Sequence, residues 1–273
     1  ILMWLCATAV ILPQTLVWEK QIGNKAIPMC KSIVTDNGLT IIFVNSSTNT
    51  KLMALNKNDI LWQKEINGFF YDICKNPNGF CATILDSVRV YNENGDIIYS
   101  HKVPTSTAQE NILHLAQWPN GYIVVDGGSH PETKIAAIYD NNYNLINSWP
   151  TQNLRAEDIS ISNEKIIIAA WQYGGGTITN VHSEISAYDF SGNRLWNDSI
   201  PDAIRPRVTS FNNNVYMAAT FYDQVEGFNG TRDGWLIKKY RSDGQIQWNY
   251  NWDGDNNYKG GNWVHDIEAI PIE

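Results

Sequence analysis

The chain has 273 residues and a formal net charge of −8, from 20 Lys and Arg against 28 Asp and Glu. That balance excludes a general nucleic-acid or anionic-membrane binder, which needs a cationic face to displace counterions. With 43% hydrophobic residues, 18% charged residues and 11 Trp, the chain is too apolar for disorder and can bury a large core.

Residues 1–12 form an apolar run followed by Pro13-Gln14-Thr15, and the first charged side chain is Glu19. The run is too short to cross a ~30 Å hydrocarbon core, so no stable membrane insertion is expected. It fits the apolar region of a secretory signal whose basic start is missing, and Ala7-Thr8-Ala9 has the small-x-small form of a cleavage site. Residues 1–14 are therefore expected to be a truncated signal, and the protein to be secreted or extracytoplasmic, in the periplasm or at the cell surface. The other reading of the run is a buried strand. Residues 15–273 are expected to be one domain. Cys30, Cys74 and Cys81 are too few for a disulfide scaffold, and no Cys-x-x-Cys motif occurs among them.

From there the chain reads as short strands rich in Ile, Val, Tyr and Trp, broken by Asn, Gly, Asp and Pro. Two elements repeat. One is a tight turn between strands: Asp36-Asn37-Gly38, Pro77-Asn78-Gly79, Pro119-Asn120-Gly121, Ser162-Asn163-Glu164 and Asn212-Asn213-Asn214. The other is an aromatic, three residues, Gly, three residues, then Trp or Tyr. It is clear at Tyr91…Gly95…Tyr99, Tyr188…Gly192…Trp196 and Tyr240…Gly244…Trp248, and weaker at Ala54…Asn58…Trp62 and Tyr139…Tyr143…Asn147. The closing positions 62, 99, 147, 196 and 248 lie 37 to 52 residues apart.

Each unit is predicted to be four antiparallel strands, A to D. The first unit has A over 31–35, B over 39–45, C over 51–56 and D over 60–66. Four-stranded units of this length repeated around an axis are the signature of an all-β β-propeller. Residues 15–22, with Trp18, resemble a lone D strand, and 264–269 resemble a lone A strand. The expectation is five complete blades plus a sixth, partial blade shared by the termini, in a domain that is itself truncated at its C-terminus. Pairing residues 74 and 81 across the Pro77-Asn78 turn brings two cysteines within disulfide reach, leaving a bond or two buried thiols as the alternatives.

The stretches Asp189-Phe-Ser-Gly192-Asn-Arg-Leu-Trp196 and Trp235-Leu-Ile-Lys-Lys-Tyr-Arg-Ser-Asp243-Gly244-Gln-Ile-Gln-Trp248 resemble the repeat of secreted bacterial and archaeal β-propeller proteins. They are also similar to the quinoprotein-like (PQQ-like) propeller repeat, though one residue shorter between Asp and Trp. The resemblance implies a fold and leaves the activity open, because such propellers host many functions. A quinone-dependent dehydrogenase is disfavoured because the adjacent cysteine pair of that family is missing, and no cofactor is expected.

In such a fold the A–B and C–D turns share one face, here with connections of two to four residues. The B–C and D–A loops share the other, and the long ones cover 126–133, 172–182, 223–233, 150–156 and 251–263. Variable loops on a rigid scaffold point to binding, with drift as the bland alternative. Trp171, Tyr173 and His182 frame one such loop; Tyr222, Asp223, Phe228 and Trp235 lie in or beside the next. These aromatics could stack on sugars or peptides, or pack the loop bases.

Aligning the A strands sets Lys31, Asp72, His114, Asp158, Arg207 and Asp266 in register, each followed by a mostly apolar residue. Alternation at period two turns the first set toward a central channel. Their charges should couple, with carboxylates near Lys31 and Arg207 ionising more readily. Substituting a ring residue should disturb the fold little if the channel is solvated. Asp253-Gly-Asp255-Asn-Asn257 has alternate oxygen ligands, but Tyr258 and Val264 replace the turn Gly and closing Glu of a calcium loop, so no metal site is expected. No Gly-x-Ser-x-Gly or His-Glu-x-x-His motif occurs. The leading expectation is a monomeric, non-catalytic propeller that binds protein or glycan on its long-loop face. The alternative is an extracytoplasmic, polysaccharide-acting enzyme that uses the channel ring.

Overall fold

The computed structural model describes residues 30–45, 49–57, 59–103, 112–127, 135–151, 155–172, 181–221, 234–252, 264 and 267. These residues form five four-stranded antiparallel sheets, each a simple meander. The first contains β1 (Cys30–Val34), β2 (Thr40–Asn45), β3 (Asn49–Asn56) and β4 (Asp59–Asn67). The second contains β5 (Phe70–Asn76), β6 (Gly79–Ile84), β7 (Ser87–Tyr91) and β8 (Ile97–Lys102). The third contains β9 (Leu113–Trp118), β10 (Gly121–Asp126), β11 (Ile135–Asp140) and β12 (Leu145–Pro150). The fourth contains β13 (Arg155–Ser162), β14 (Lys165–Gln172), β15 (His182–Tyr188) and β16 (Arg194–Pro201). The fifth contains β17 (Ala203–Phe211), β18 (Asn214–Phe221), β19 (Trp235–Arg241) and β20 (Ile246–Trp252).

Burial explains why the sheets stack around an axis. Every residue of β6 and of β10 is buried, so these second strands are covered on both faces. The outer strands β8 and β16 instead alternate between exposed and partly covered positions. A meander buried on both faces of its middle strands needs a sheet on each side. Four successive cores supply this. Phe43 and Phe80 join the first two sheets, Val90 and Tyr122 the second and third, Ile123 and Ile168 the third and fourth, and Ile185 and Met217 the fourth and fifth.

The closing aromatics stitch the rim. Trp62 lies under Gly95 of the next sheet and donates from Nε1 to the Glu93 carbonyl at 2.9 Å. Tyr99 stacks on Tyr143 with centroids 4.4 Å apart. Trp196 lies against Gly244 and donates to the Ser242 carbonyl at 3.0 Å. In the third sheet the packing aromatic is Trp149, against Gly192, and not the residue aligned at 147. Positions 147 and 149 share a face of the strand, and Asn147 makes its own hydrogen bond to the Phe190 carbonyl at 3.1 Å.

The turns on this rim are short, the longest spanning 35–39, 92–96 and 189–193, one residue more than the sequence suggested. The stretches 103–112, 127–134, 173–181 and 222–234 between successive strands lie mostly outside the described residues, and the connection expected to be long over 150–156 is only four residues, 151–154.

Cys74 faces Cys81 across β5 and β6, as the turn predicted, and both are buried free thiols. A hydrogen bond donated by the Cys74 thiol to Cys81, together with burial, pushes the Cys74 thiol well up. Both thiols should therefore resist alkylation in the native chain and react together on unfolding without reductant. Failure of either to react after unfolding would mean a disulfide instead.

Candidate functional site at the inner strands

The first strands β1, β5, β9, β13 and β17 pack side by side in chain order. Their ring residues converge. Lys31 Nζ lies 2.7 Å from Asp72 Oδ1, and Asp72 Oδ2 lies 3.4 Å from His114 Nδ1. Lys31 also feels Asp158 and Arg207 from the fourth and fifth sheets, so side chains from all five described sheets share one electrostatic space. Asp266 lies outside the described residues, as do Tyr173, Tyr222 and Asp223.

The ring alternates. Lys31, His114 and Arg207 stand on the first, third and fifth sheets; Asp72 and Asp158 stand on the second and fourth. Both carboxylates do the same job. Asp72 accepts the amide of Ile73 at 2.8 Å on Oδ1 and that of Leu115, in the next sheet, at 3.0 Å on Oδ2. Asp158 accepts the amide of Ile159 at 2.9 Å and that of Val208, in the next sheet, also at 2.9 Å. Each is a clamp between neighbouring sheets, which corrects the expectation of ring residues that contribute little to the fold. Thr83 adds a second tie, accepting the Asp72 amide at 2.9 Å and donating to the Leu113 carbonyl at 2.8 Å.

The two acids respond differently to their surroundings. Burial opposes ionisation of Asp72, but Lys31 and His114 more than offset it and hold the carboxyl well below the usual range. At Asp158 burial wins over Lys31, the Val208 amide and Arg207, and the carboxyl is pushed up. The expectation that carboxylates near the ring's cations ionise more readily therefore holds for Asp72 and fails for Asp158. Burial likewise works against the Lys31 ammonium, yet Asp72 and Asp158 outweigh it and raise its proton affinity.

A second cluster, missed in the sequence, sits where β13, β14 and β17 meet the long-loop face. Glu157 is buried, and its Oε1 accepts Trp171 Nε1 at 2.6 Å and lies 3.1 Å from Arg155 Nε. Arg207 approaches the other oxygen at 3.6 Å and donates to the Glu157 carbonyl. The Arg155 guanidinium lies over the Trp171 ring, 5.5 Å from its centroid. Trp171 itself is buried against Val181 and Ile204, so it packs a loop base. His182, partly exposed, pairs with Gln172 and Pro201 in its sheet.

Bulges set this geometry. The register shifts between Phe70 and Asp72, between Ala156 and Asp158, and between Ile204 and Arg207, each time just before the ring residue. An inserted residue re-aims its side chain, and Glu157, the residue passed over at the shift in β13, is turned toward Arg155, Trp171 and Arg207. Two consecutive acids at the start of an inner strand were the only sequence trace of it.

No protein-family model matches the chain, and no curated protein matches it in sequence. Solved structures do. The chain is similar to the Pan2 WD40 domain of Neurospora crassa, with a TM-score of 0.57 and 9% identity over 81% of this chain and 65% of that one. It is similar to BBS1N, solved in complex with ARL6DN, with a TM-score of 0.53 and 11% identity over 84% of this chain and 68% of that one. It is also similar to the AfRom2 CNH domain, with a TM-score of 0.51 and 9% identity over 74% of this chain and 63% of that one. The chain thus spans about two-thirds of the length of each. At these identities the likeness carries the β-propeller fold alone.

Proposed function

We propose that this β-propeller is a non-catalytic binding module, extracytoplasmic and monomeric, that holds a protein or glycan partner across its long-loop face. The observation that carries the reading is the use of Asp72 and Asp158 as sheet-to-sheet clamps. A carboxylate whose two oxygens hold backbone amides of two sheets is poorly placed to exchange protons with a substrate. This weighs against the polysaccharide-acting alternative, whose acid–base chemistry would draw on the same ring. On the side of the inner strands where Arg155 begins β13, its guanidinium lies over the buried Trp171 ring and offers a cation at the rim of that face. The BBS1N neighbour, itself solved as a complex, supports a protein partner as one class.

The test is a panel of defined oligosaccharides and displayed peptides, with bound probes re-measured on Arg155→Ala and His182→Ala. The expected result is a probe whose affinity falls at least tenfold in His182→Ala with unchanged melting, or in Arg155→Ala by more than its loss of stability accounts for, as interface hot spots behave. New reducing ends released from any oligosaccharide, abolished by His114→Ala, would replace the reading with the enzymatic one.

A further inference from the structure

Six Asn-Gly pairs occur in the chain, at 37–38, 67–68, 78–79, 94–95, 120–121 and 229–230, the last outside the described residues. In such a pair the glycine nitrogen can attack the asparagine side-chain carbonyl carbon, because no Cβ hinders the approach. The new C–N bond closes a five-membered imide, and the side-chain nitrogen leaves as ammonia. Water then opens the ring, at the side-chain carbonyl to give aspartate or at the main-chain carbonyl to give isoaspartate. One ammonia is lost and one water is gained, so no oxidant or reductant is needed. The dipeptide alone ranks the pairs equally. The fold does not, because closing the imide rotates the chain at the turn and requires it to open locally.

Among the described pairs, only Gly38 is exposed. Nothing lies within 4 Å of a Cβ placed there. The bonds that close its turn are local, from the Gly38 amide to the Thr35 carbonyl at 3.0 Å and from the Thr35 amide to the Leu39 carbonyl at 2.8 Å. The other glycines are held from outside their turns. Gly79 is buried against the Tyr91 carbonyl, Gly95 against the Trp62 ring, and Gly121 is paired with both Trp118 and Asp140. Gly68 packs on Ile84 and Leu85.

The product at position 37 also meets a particular neighbour. Asn37 Nδ2 donates to both carboxylate oxygens of Glu93, at 2.8 and 2.9 Å, in the third-to-fourth turn of the second sheet. Asp36 beside it holds Lys75 of β5 at 3.2 Å. Loss of the amide removes the donor and sets a second carboxylate against Glu93. Asn78 makes the equivalent contact one sheet on, donating to the Tyr143 hydroxyl at 3.1 Å. A hydroxyl can turn and donate to a carboxylate, so conversion at 78 keeps its bond.

We propose that Asn37-Gly38 is a site of spontaneous deamidation, with water as the co-reactant, and that the aspartate formed there turns a stitch between the first and second sheets into a repulsion. The full chain, held at mildly alkaline pH and sampled by peptide mapping, tests the site. In the native chain, aspartate and isoaspartate at 37 should accumulate several-fold faster than at 78, 94 and 120. In urea the four sites should convert at similar rates, which assigns the native difference to the fold. No lead at 37 in the native chain, or a lead of the same size in urea, overturns the site. The consequence is read on variants. Asn37→Asp should lower the melting temperature, more at low salt than at high, as a repulsion between exposed charges does. Adding Glu93→Gln should restore the loss, because Gln can donate to Asp, and Asn78→Asp should melt like the parent chain. An Asn37→Asp chain that melts like the parent at low salt, or a loss that Glu93→Gln does not restore, overturns the repulsion.

Discussion

Replacing Asp72 by Asn is expected to cost about 2–3 kcal/mol of stability, as leaving a buried backbone amide without its charged acceptor does. Asp72 is 6% exposed as a side chain, and Asn keeps only one acceptor oxygen for two amides, Lys31 and His114. The Leu115 amide in the next sheet loses its anchor, and Lys31 is left near Arg207 with less opposing charge. Asp158→Asn should cost only about 1 kcal/mol near neutral pH, since the amide also relieves the burial that pushes the Asp158 carboxyl up. The pH dependences run in opposite senses. A carboxyl lowered from 3.8 stabilises the fold above that pH and loses the contribution as pH falls through its native value. The cost of Asp72→Asn should therefore shrink in acid. A carboxyl raised above 3.8 contributes fully below that pH and loses the contribution as pH rises through its native value. The cost of Asp158→Asn should therefore grow in acid. Urea unfolding of both variants from pH 3 to pH 7 reads this out, and parallel curves would show that the two clamps are not electrostatically distinct.

The ring was legible because alternation at period two is a one-dimensional signal, and five inner strands repeat it. The rim was legible for the same reason: Trp62, Tyr99 and Trp196 recur at fixed offsets from their turns. What a sequence cannot show is the distance between sheets. Asp72 becomes a clamp because the Leu115 amide, in a different sheet, lies 3.0 Å from its carboxylate. Nor does a bulge change composition. Glu157 escaped notice because alternation assigns it a face opposite to Asp158, and the register shift at that point cancels the assignment. The sign at Asp158 was missed because proximity to cations is readable from alignment and burial at the channel wall is not.

The same contrast between local and neighbouring structure should appear at the turn glycines. Gly121→Ala is expected to destabilise the protein by roughly 3 kcal/mol or more, from a backbone clash together with an unfavourable φ. The residue has φ +156°, and an added Cβ would stand 1.9 Å from the Tyr139 carbonyl oxygen. That oxygen belongs to β11, paired with β10 through Tyr122 and Ile123, so it cannot retreat without opening the ladder. Gly79 repeats the arrangement, with 2.3 Å to the Tyr91 carbonyl oxygen. Gly38, also an Asn-Gly turn glycine, has φ +79° and nothing within 4 Å of an added Cβ. Its substitution by Ala should cost only the backbone term, about 1 kcal/mol. Thermal unfolding of the three alanine variants separates the causes. If Gly38→Ala is as damaging as Gly121→Ala, turn conformation alone explains the glycines. If only the variants at 79 and 121 collapse, these glycines are held by the close approach of the third strand. In that case the turn motif read from the sequence marks sheet packing as much as chain reversal.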